Sequence, residues 1–188
     1  MENLSYFKKF TGHLKTITHH RFLVSTMCFR CGMIKQGLLH DLSKYSFIEF
    51  WPSVRNFQGD RSPITYEKEQ NGYSECWLHH KGRNKHHWEY WIDRKGYGLS
   101  VIPMPLNYVL ESVIDKIAAS KVYKKDSYTI EYPYEFFSKS YEIKVMNSES
   151  ARQMLYLLDF LRKKGEKETV KYIRSIYSNW KKDKTYRI

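Results

Sequence analysis

The sequence is short of acid: Lys and Arg number 32 against 20 Asp and Glu, a formal net charge of +12. That excess points to an anionic partner (a nucleotide, a phosphorylated metabolite or a nucleic acid), although a merely solvated basic surface has the same signature. It is short of cysteine as well. Cys28, Cys31 and Cys76 cannot all pair, so a disulfide framework is excluded as the source of stability. Nine Gly and five Pro leave no low-complexity tract and no internal repeat. No apolar run approaches the roughly 20 residues that span a bilayer. The opening residues 1–6 have neither the basic start nor the apolar stretch of a signal peptide. A cytoplasmic protein without a membrane segment is expected. Histidine is confined: His13, His19, His20, His40, His79, His80, His86 and His87 all lie in the first half, and none follows.

What is present is an ordinary globular composition, 41% hydrophobic and 28% charged, with 16 Tyr and five Trp to fill a core or line a pocket. A chain of 188 residues fits one domain. Helical spacing runs through residues 4–33, closing at Gly32, and places His13 and His20 on one face about two turns apart. A short helix over 34–41 would end on His40-Asp41. Ser43 reads as the N-cap of a third helix carrying Phe47 to Val54, with a kink at Pro52. Residues 57–64 read as a surface loop. Helix follows from Thr65, breaks at Asn71-Gly72 and resumes over Tyr73–His80. Lys81–Asn84 is a polar turn, and His86–Trp91 starts another helical segment. Gly96-Tyr97-Gly98 and Pro103-Met104-Pro105 bracket a loop, so no strand pair is expected. The pattern is strongly helical from Leu106 to Tyr123, and further helices fall near 134–142, 149–164 and 166–180, with Gly165 as a C-cap glycine. The fold class expected is all-α, a single domain over 1–188 with the motif-bearing core at about 13–120 and C-terminal helices at about 134–180.

Gly37-Leu38-Leu39-His40-Asp41-Leu42-Ser43-Lys44 is the stretch around which chemistry gathers. Adjacent imidazole and carboxylate groups can both ligate metal if the backbone turns beneath them. His20 precedes this pair, His80-x3-Asn84-x-His86-His87 follows it, and Asp115 stands among Val113, Ile114, Ile117 and Ala118. A carboxylate in such a run is costly to bury unless it is paired or metal-bound. The bland alternative is a surface position or an ion pair with Lys116 or Lys121. Two cations a few Å apart need a bridging carboxylate, which Asp41 can supply, and imidazole-rich sites suit Fe, Mn, Zn, Ni or Co. Glu111, one turn before Asp115, is either a carboxylate orienting a ligand histidine or a surface residue. His13 reads as a solvated or core histidine.

The order His … His-Asp … His … His-His … Asp resembles the HD superfamily of metal-dependent phosphohydrolases, nearer to the members with extra histidines and two or more metals. His40-Asp41-Leu42-Ser43-Lys44 is similar to the His-Asp-x-x-Lys stretch of the HD-GYP phosphodiesterases, and His80-x3-Asn84-x-His86-His87 to a segment of a further HD-like group. The resemblance covers roughly residues 13–120. It implies an HD-like helical bundle in which His20, His40, Asp41 and Asp115 hold one metal. His80, His86 and His87, with Asp41 shared, hold a second. By this alignment His20 is preferred to His19, and spacing to Asn84 and His86 prefers His80 to His79. Lys44 would contact a substrate phosphate, assisted by Arg83. The implied cofactors are two or more divalent transition metals, Fe or Mn first, and the implied activity is hydrolysis of a nucleotide or other phosphorylated small molecule. Trp88-Glu89-Tyr90-Trp91 stands where HD-GYP proteins carry Gly-Tyr-Pro, so cyclic dinucleotide specificity is not carried over.

Three alternatives remain at this level. The ligand order is also similar to myo-inositol oxygenase, a di-iron enzyme of the same fold. Cys28-x2-Cys31 with Cys76-x2-His79 has the residue types of a structural zinc. A basic nucleic-acid-binding module with structural histidines would draw on runs such as Arg162-Lys163-Lys164 and Lys181-Lys182.

Overall fold

The computed structural model describes residues 4–188; positions 1–3, part of the stretch weighed against a signal peptide, lie outside the described residues. The chain folds as an all-α, single-domain protein with one small hairpin. Helix α1 (Tyr6–Arg30) starts at Ser5, whose hydroxyl accepts from the Lys8 amide. Its buried residues are His13, Ile17, His20, Val24, Met27 and Cys28, a single stripe at three- and four-residue spacing. The two histidines therefore share the inward face, as their spacing implies. Helix α2 (Ile34–Leu39) packs against α1. Gly37 permits the approach: a Cβ there would stand 2.7 Å from the Phe29 ring and 3.0 Å from Cys28 Cβ. Ser25 Oγ donates to the Gly37 carbonyl at 2.6 Å, and Arg21 donates to the carbonyls of Leu38 and His40 at 2.7 and 3.2 Å. The free carbonyls at the end of α2 are thus tied to α1.

Helix α3 (Phe47–Asn56) packs on α1, and α4 (Pro63–Asn71) and α5 (Glu75–Lys81) pack on α3. Two helix starts differ from expectation. Ser43 lies inside a 3-10 turn, Leu42–Tyr45, and α3 begins after Ser46, because the chain needs one tight turn to leave His40-Asp41 before it can re-enter a helix. Helix α4 starts at Pro63, whose ring suits a first helical position. Gly72, at φ +79°, ends α4 where the Asn71-Gly72 break was read.

Residues 86–91 are not a helix running on from His86. Only Trp88–Trp91 makes a 3-10 turn, and strands β1 (Ile92–Lys95) and β2 (Gly98–Val101) follow as an antiparallel hairpin around Gly96-Tyr97. Gly96 takes φ +59°, as a two-residue hairpin loop requires. The strands are four residues each and largely exposed, so they carry no apolar alternation to read.

The core lies between α6 (Leu106–Lys124) and α9 (Ser148–Lys182). Leu106, Val109, Leu110, Val113, Ile114 and Ile117 pack into Met154, Leu157, Leu158, Leu161, Ile173 and Ile176. Helices α7 (Tyr132–Ser138) and α8 (Glu142–Val145) close one end. The two C-terminal helices expected on either side of Gly165 are both present as the arms of α9. Gly165, at φ +79°, ψ 168°, breaks the helix, and the second arm folds back on the first, with Tyr172 stacked on Phe160 at 4.6 Å and Arg187 3.3 Å from Glu149. Among the described residues no helix is long and apolar enough to cross a membrane.

Candidate metal centre

His40 closes α2, and Asp41 then adopts φ +53°, ψ 23°, a left-handed conformation that costs a non-glycine residue about 1–3 kcal/mol. This is the backbone turn that lets adjacent side chains point into one space. Both Asp41 oxygens are buried there without a hydrogen bond. From α1, His20 Nε2 reaches to 3.6 Å from Asp41 Oδ2 and 3.0 Å from Asp115 Oδ1. His40 Nε2 lies 3.4 Å from Asp41 Oδ2 and 3.5 Å from Asp115 Oδ1. On the other oxygen, His80 Nε2 and His86 Nε2 stand 3.3 and 3.4 Å from Asp41 Oδ1. His87 completes the second side, its ring 4.1 Å from His86 and 4.9 Å from His80.

Two four-residue groups result: His20, His40, Asp41 and Asp115, and Asp41, His80, His86 and His87, each with its candidate ligand atoms within 4.8 Å of one another. Asp41 belongs to both. Each of the five imidazoles leaves its Nε2 buried and without a hydrogen bond. Unpartnered polar atoms are rare in folded interiors, and here they are gathered on one carboxylate. These buried His/Asp groups are positioned to hold a metal ion. The chemistry of the donors fits, since neutral imidazole and carboxylate are ligands for borderline divalent metals.

The opposite ring nitrogens show how that state is held. His40 Nδ1 donates to Glu111 Oε1 at 3.0 Å, and His86 Nδ1 is 3.3 Å from the same oxygen. His80 Nδ1 donates to Glu49 Oε2 at 2.7 Å. Glu49 Oε1 takes His79 Nδ1 at 2.6 Å, and Arg83 Nε donates to His79 Nε2 at 2.6 Å. Because guanidinium is a donor only, His79 must carry its proton on Nδ1. A carboxylate on the outer nitrogen fixes the tautomer and leaves Nε2 as the lone pair facing the centre.

The balance of charge calls for cations. Asp41, Asp115, Glu49 and Glu111 converge, while Lys44 is the one lysine in contact with them, its Nζ 2.6 Å from Asp41 Oδ2 but off the angle of a hydrogen bond. Burial alone would push the Asp41 and Asp115 carboxyls up. The facing imidazoles, with Lys44 at Asp41, outweigh it and hold both well below the usual carboxylate range. Burial would likewise lower His40, but Asp41, Asp115 and Glu111 raise it well above its ordinary value. His87 is held well below its ordinary value by burial and by His86 and His80 beside it.

The structure therefore brings together His20, His40, Asp41, Lys44, His80, His86, His87 and Asp115. His19 is exposed and His79 points to Glu49 and Arg83, so of each adjacent pair the expected member faces the centre. Lys116 and Lys121, the alternative partners for Asp115, pair with Glu142 and Glu166 instead. His13 is a core residue against Phe50 and Phe57. Arg83 is not at the centre: its Nε is engaged by His79. The zinc alternative is overturned. Cys31 lies against the Val170 carbonyl, Cys76 against Ser53 and the Glu49 carbonyl, and no cysteine joins a metal-capable group among the described residues. Glu49 went unread in the sequence. Its signal was a lone carboxylate amid Phe47, Ile48, Phe50 and Trp51, a run that buries it and so demands a partner. Asn84 also acquires a role, donating to Ser43 Oγ and the His80 carbonyl, both at 2.8 Å, which ties the turn after α5 to the turn after Asp41.

An all-α protein with a buried His/Asp cluster able to hold a metal ion is the class that fold and site define. The chain belongs to DUF5662, a family of unknown function, matched over residues 9–159, a span that contains every one of these side chains. No curated protein matches it, and no solved structure does.

Proposed function

We propose that the protein is a metal-dependent phosphohydrolase of HD type, acting in the cytoplasm on a nucleotide or other phosphorylated small molecule through two metals bridged by Asp41. One observation carries the reading: five Nε2 atoms and both Asp41 oxygens are buried around one point with no hydrogen bond among them. Iron or manganese suits this donor set best, with zinc, nickel or cobalt as the alternatives. Bound there, such metals supply a water acidified to near-neutral pH as the attacking nucleophile.

The chain's own residues do the rest. Asp41 offers one oxygen to each half of the centre, and Glu49 and Glu111 keep the histidines in the ligating tautomer. Asp115 is the more open carboxylate. It borders a cavity of about 440 Å³, room enough for a small phosphate ester, where Lys124 has no carboxylate partner among the described residues while Arg61 and Lys116 are paired with carboxylates. Lys44, about a quarter exposed, can turn from Asp41 toward a phosphoryl oxygen.

The test is anaerobic purification in chelator-free buffer, metal analysis, and a screen of phosphomonoesters and phosphodiesters. Near two transition metals per chain and turnover that Lys44→Ala slows at unchanged metal content is the expected result. Less than one metal per chain refutes it. A mixed-valent di-iron signal with oxygen uptake replaces hydrolysis by the oxygenase chemistry. Salt-dependent nucleic-acid binding that survives Asp41→Ala, with no turnover, leaves the basic binding module.

A further inference from the structure

A second cavity, of about 370 Å³, opens on the other side of the ligand shell. His86 borders it, together with Glu111, the carboxylate behind His40 and His86, which makes with them a third group of metal-capable atoms within 4.8 Å of one another. Since the Nε2 atoms face Asp41 and the Nδ1 atoms face Glu111, this cavity meets the outer side of the shell. It shares no lining residue with the cavity beside Asp115. The cavity is therefore separate from the one beside Asp115.

Its lining is chemically selective. Lys35 comes from α2, and Arg83 and Lys85 from the turn after α5; none has a carboxylate partner among the described residues, and Arg83 is held at its Nε by His79. By contrast the cations of the Asp115 cavity are mostly engaged: Arg61 with Asp60 and Glu69, Lys116 with Glu142. Tyr108 offers an aromatic face beside Lys85, whose Nζ sits 5.9 Å from the ring; Trp180 is already stacked on Tyr177 at 5.7 Å and carries Lys184 Nζ 3.4 Å over its ring. Asn107, in the first turn of α6, borders the cavity with an amide that makes no side-chain hydrogen bond to protein among the described residues, so it is open to a ligand's hydrogen-bonding edge.

Two lysines without a carboxylate partner, the Tyr108 face and an open amide are the complement of a phosphate on a planar ring with hydrogen-bonding edges. We propose that this cavity is a second ligand site, one that takes a nucleotide as effector and not as substrate. It does not depend on the hydrolase reading, because none of its contacts is a metal. Glu111 links the two sites: a ligand that shifts this carboxylate shifts the Nδ1 partner of His40 and His86. Any change in metal affinity caused by the nucleotide must then be matched by an equal change in nucleotide affinity caused by the metal.

The probes are the non-hydrolysable 5′-methylenephosphonate analogues of adenosine, guanosine, cytidine and uridine monophosphates, with inorganic phosphate for comparison. Binding is measured by calorimetry on the full chain with its metals as purified. The expected result is one site per chain for at least one analogue, with phosphate alone at least about tenfold weaker because it has no ring to stack. Lys35→Glu, an exposed position that leaves the fold intact, should weaken that analogue about tenfold or more, while the charge-matched Lys164→Glu leaves it within about twofold. Failure of all four analogues to bind overturns the proposal. Equal weakening by the two charge reversals does so too, since it marks non-specific attraction. Binding lost in Lys44→Ala and kept in Lys35→Glu puts the nucleotide at the metal centre, which overturns the second site and leaves the hydrolase intact. Binding that follows Lys35 in a protein without turnover supports the site while the hydrolase reading fails.

Discussion

If the proposed two-metal centre forms, stripping it should nearly unfold the N-terminal half of this protein. The perturbation is dialysis against a strong chelator at pH 7.5, followed by removal of the chelate. Without metal, five imidazole nitrogens and two carboxylate oxygens are buried with no hydrogen bond. Each such atom costs about 1–3 kcal/mol. Contacts at 3.0–3.6 Å between the histidines and the carboxylates return part of that once His40 is protonated. Taking the lower bound throughout leaves a loss of about 7 kcal/mol, comparable to the whole stability of a domain. At about 2–4 °C per kcal/mol for a chain of this length, Tm should fall by about 15–30 °C. The left-handed Asp41 adds to the penalty, because nothing then holds it. Calorimetry on the metal-loaded and stripped forms reads the shift. Hydrogen exchange should locate it, with protection lost first around His40–Tyr45 and His80–His87 and last in the core of α6 and α9, whose packing does not involve the centre. A stripped protein, verified as metal-free, whose Tm stays within about 3 °C of the loaded form would refute the reasoning. The seven atoms would then have found partners without a metal.

Glu49→Gln should lower metal affinity about 10–100-fold with little loss of helix, because His80 loses the carboxylate that fixes its tautomer; metal competition titration measures it, and unchanged affinity would remove Glu49 from the site. Asp41→Ala should abolish most metal binding while leaving the helices largely intact and the left-handed strain unrelieved, since alanine keeps the Cβ that causes it, read by metal content and circular dichroism. Burial, then the nearby Lys44 charge, pushes the His13 pKa from 6.5 down to about 4. Between those two values the unfolded chain binds a proton that the folded one does not, so stability rises with pH across that window and is lost as the pH is lowered from 6.5 to about 4, by about 3 kcal/mol at about 1.4 kcal/mol per pH unit. His13→Leu should flatten that portion of the stability profile, compared between stripped wild type and stripped variant by urea melts; parallel profiles would deny His13 the role. Gly37→Ala should cost about 1–3 kcal/mol by forcing α2 off α1, since its Cβ would meet Phe29 and Cys28. Denaturant midpoints check it, and a neutral result would show that the Phe29 ring swings clear.

Much of this protein is legible along the chain. The buried stripe of α1 follows three- and four-residue spacing, α6 announces itself by its apolar run, and the glycines at 72 and 165 interrupt helices where their positive φ angles allow. The ligand types were legible too, because His-Asp, the histidine cluster after it and a carboxylate in an apolar helix are unusual in sequence. Local patterns are periodic and need only one element to be read. The hairpin at 92–101 escaped because its short exposed strands have no period, and Ser43 was misplaced because a turn imposed by Asp41 precedes α3. What the tertiary structure alone decided is which atoms meet. Only the docking of α1, α2, α5 and α6 brings His20, His40, His80, His86 and Asp115 to the two oxygens of Asp41. Only that docking turns Glu49 and Glu111 into the partners of the outer ring nitrogens and sends Arg83 to His79. Spacing in one dimension constrains a face of a helix; which faces converge depends on burial summed over the whole chain.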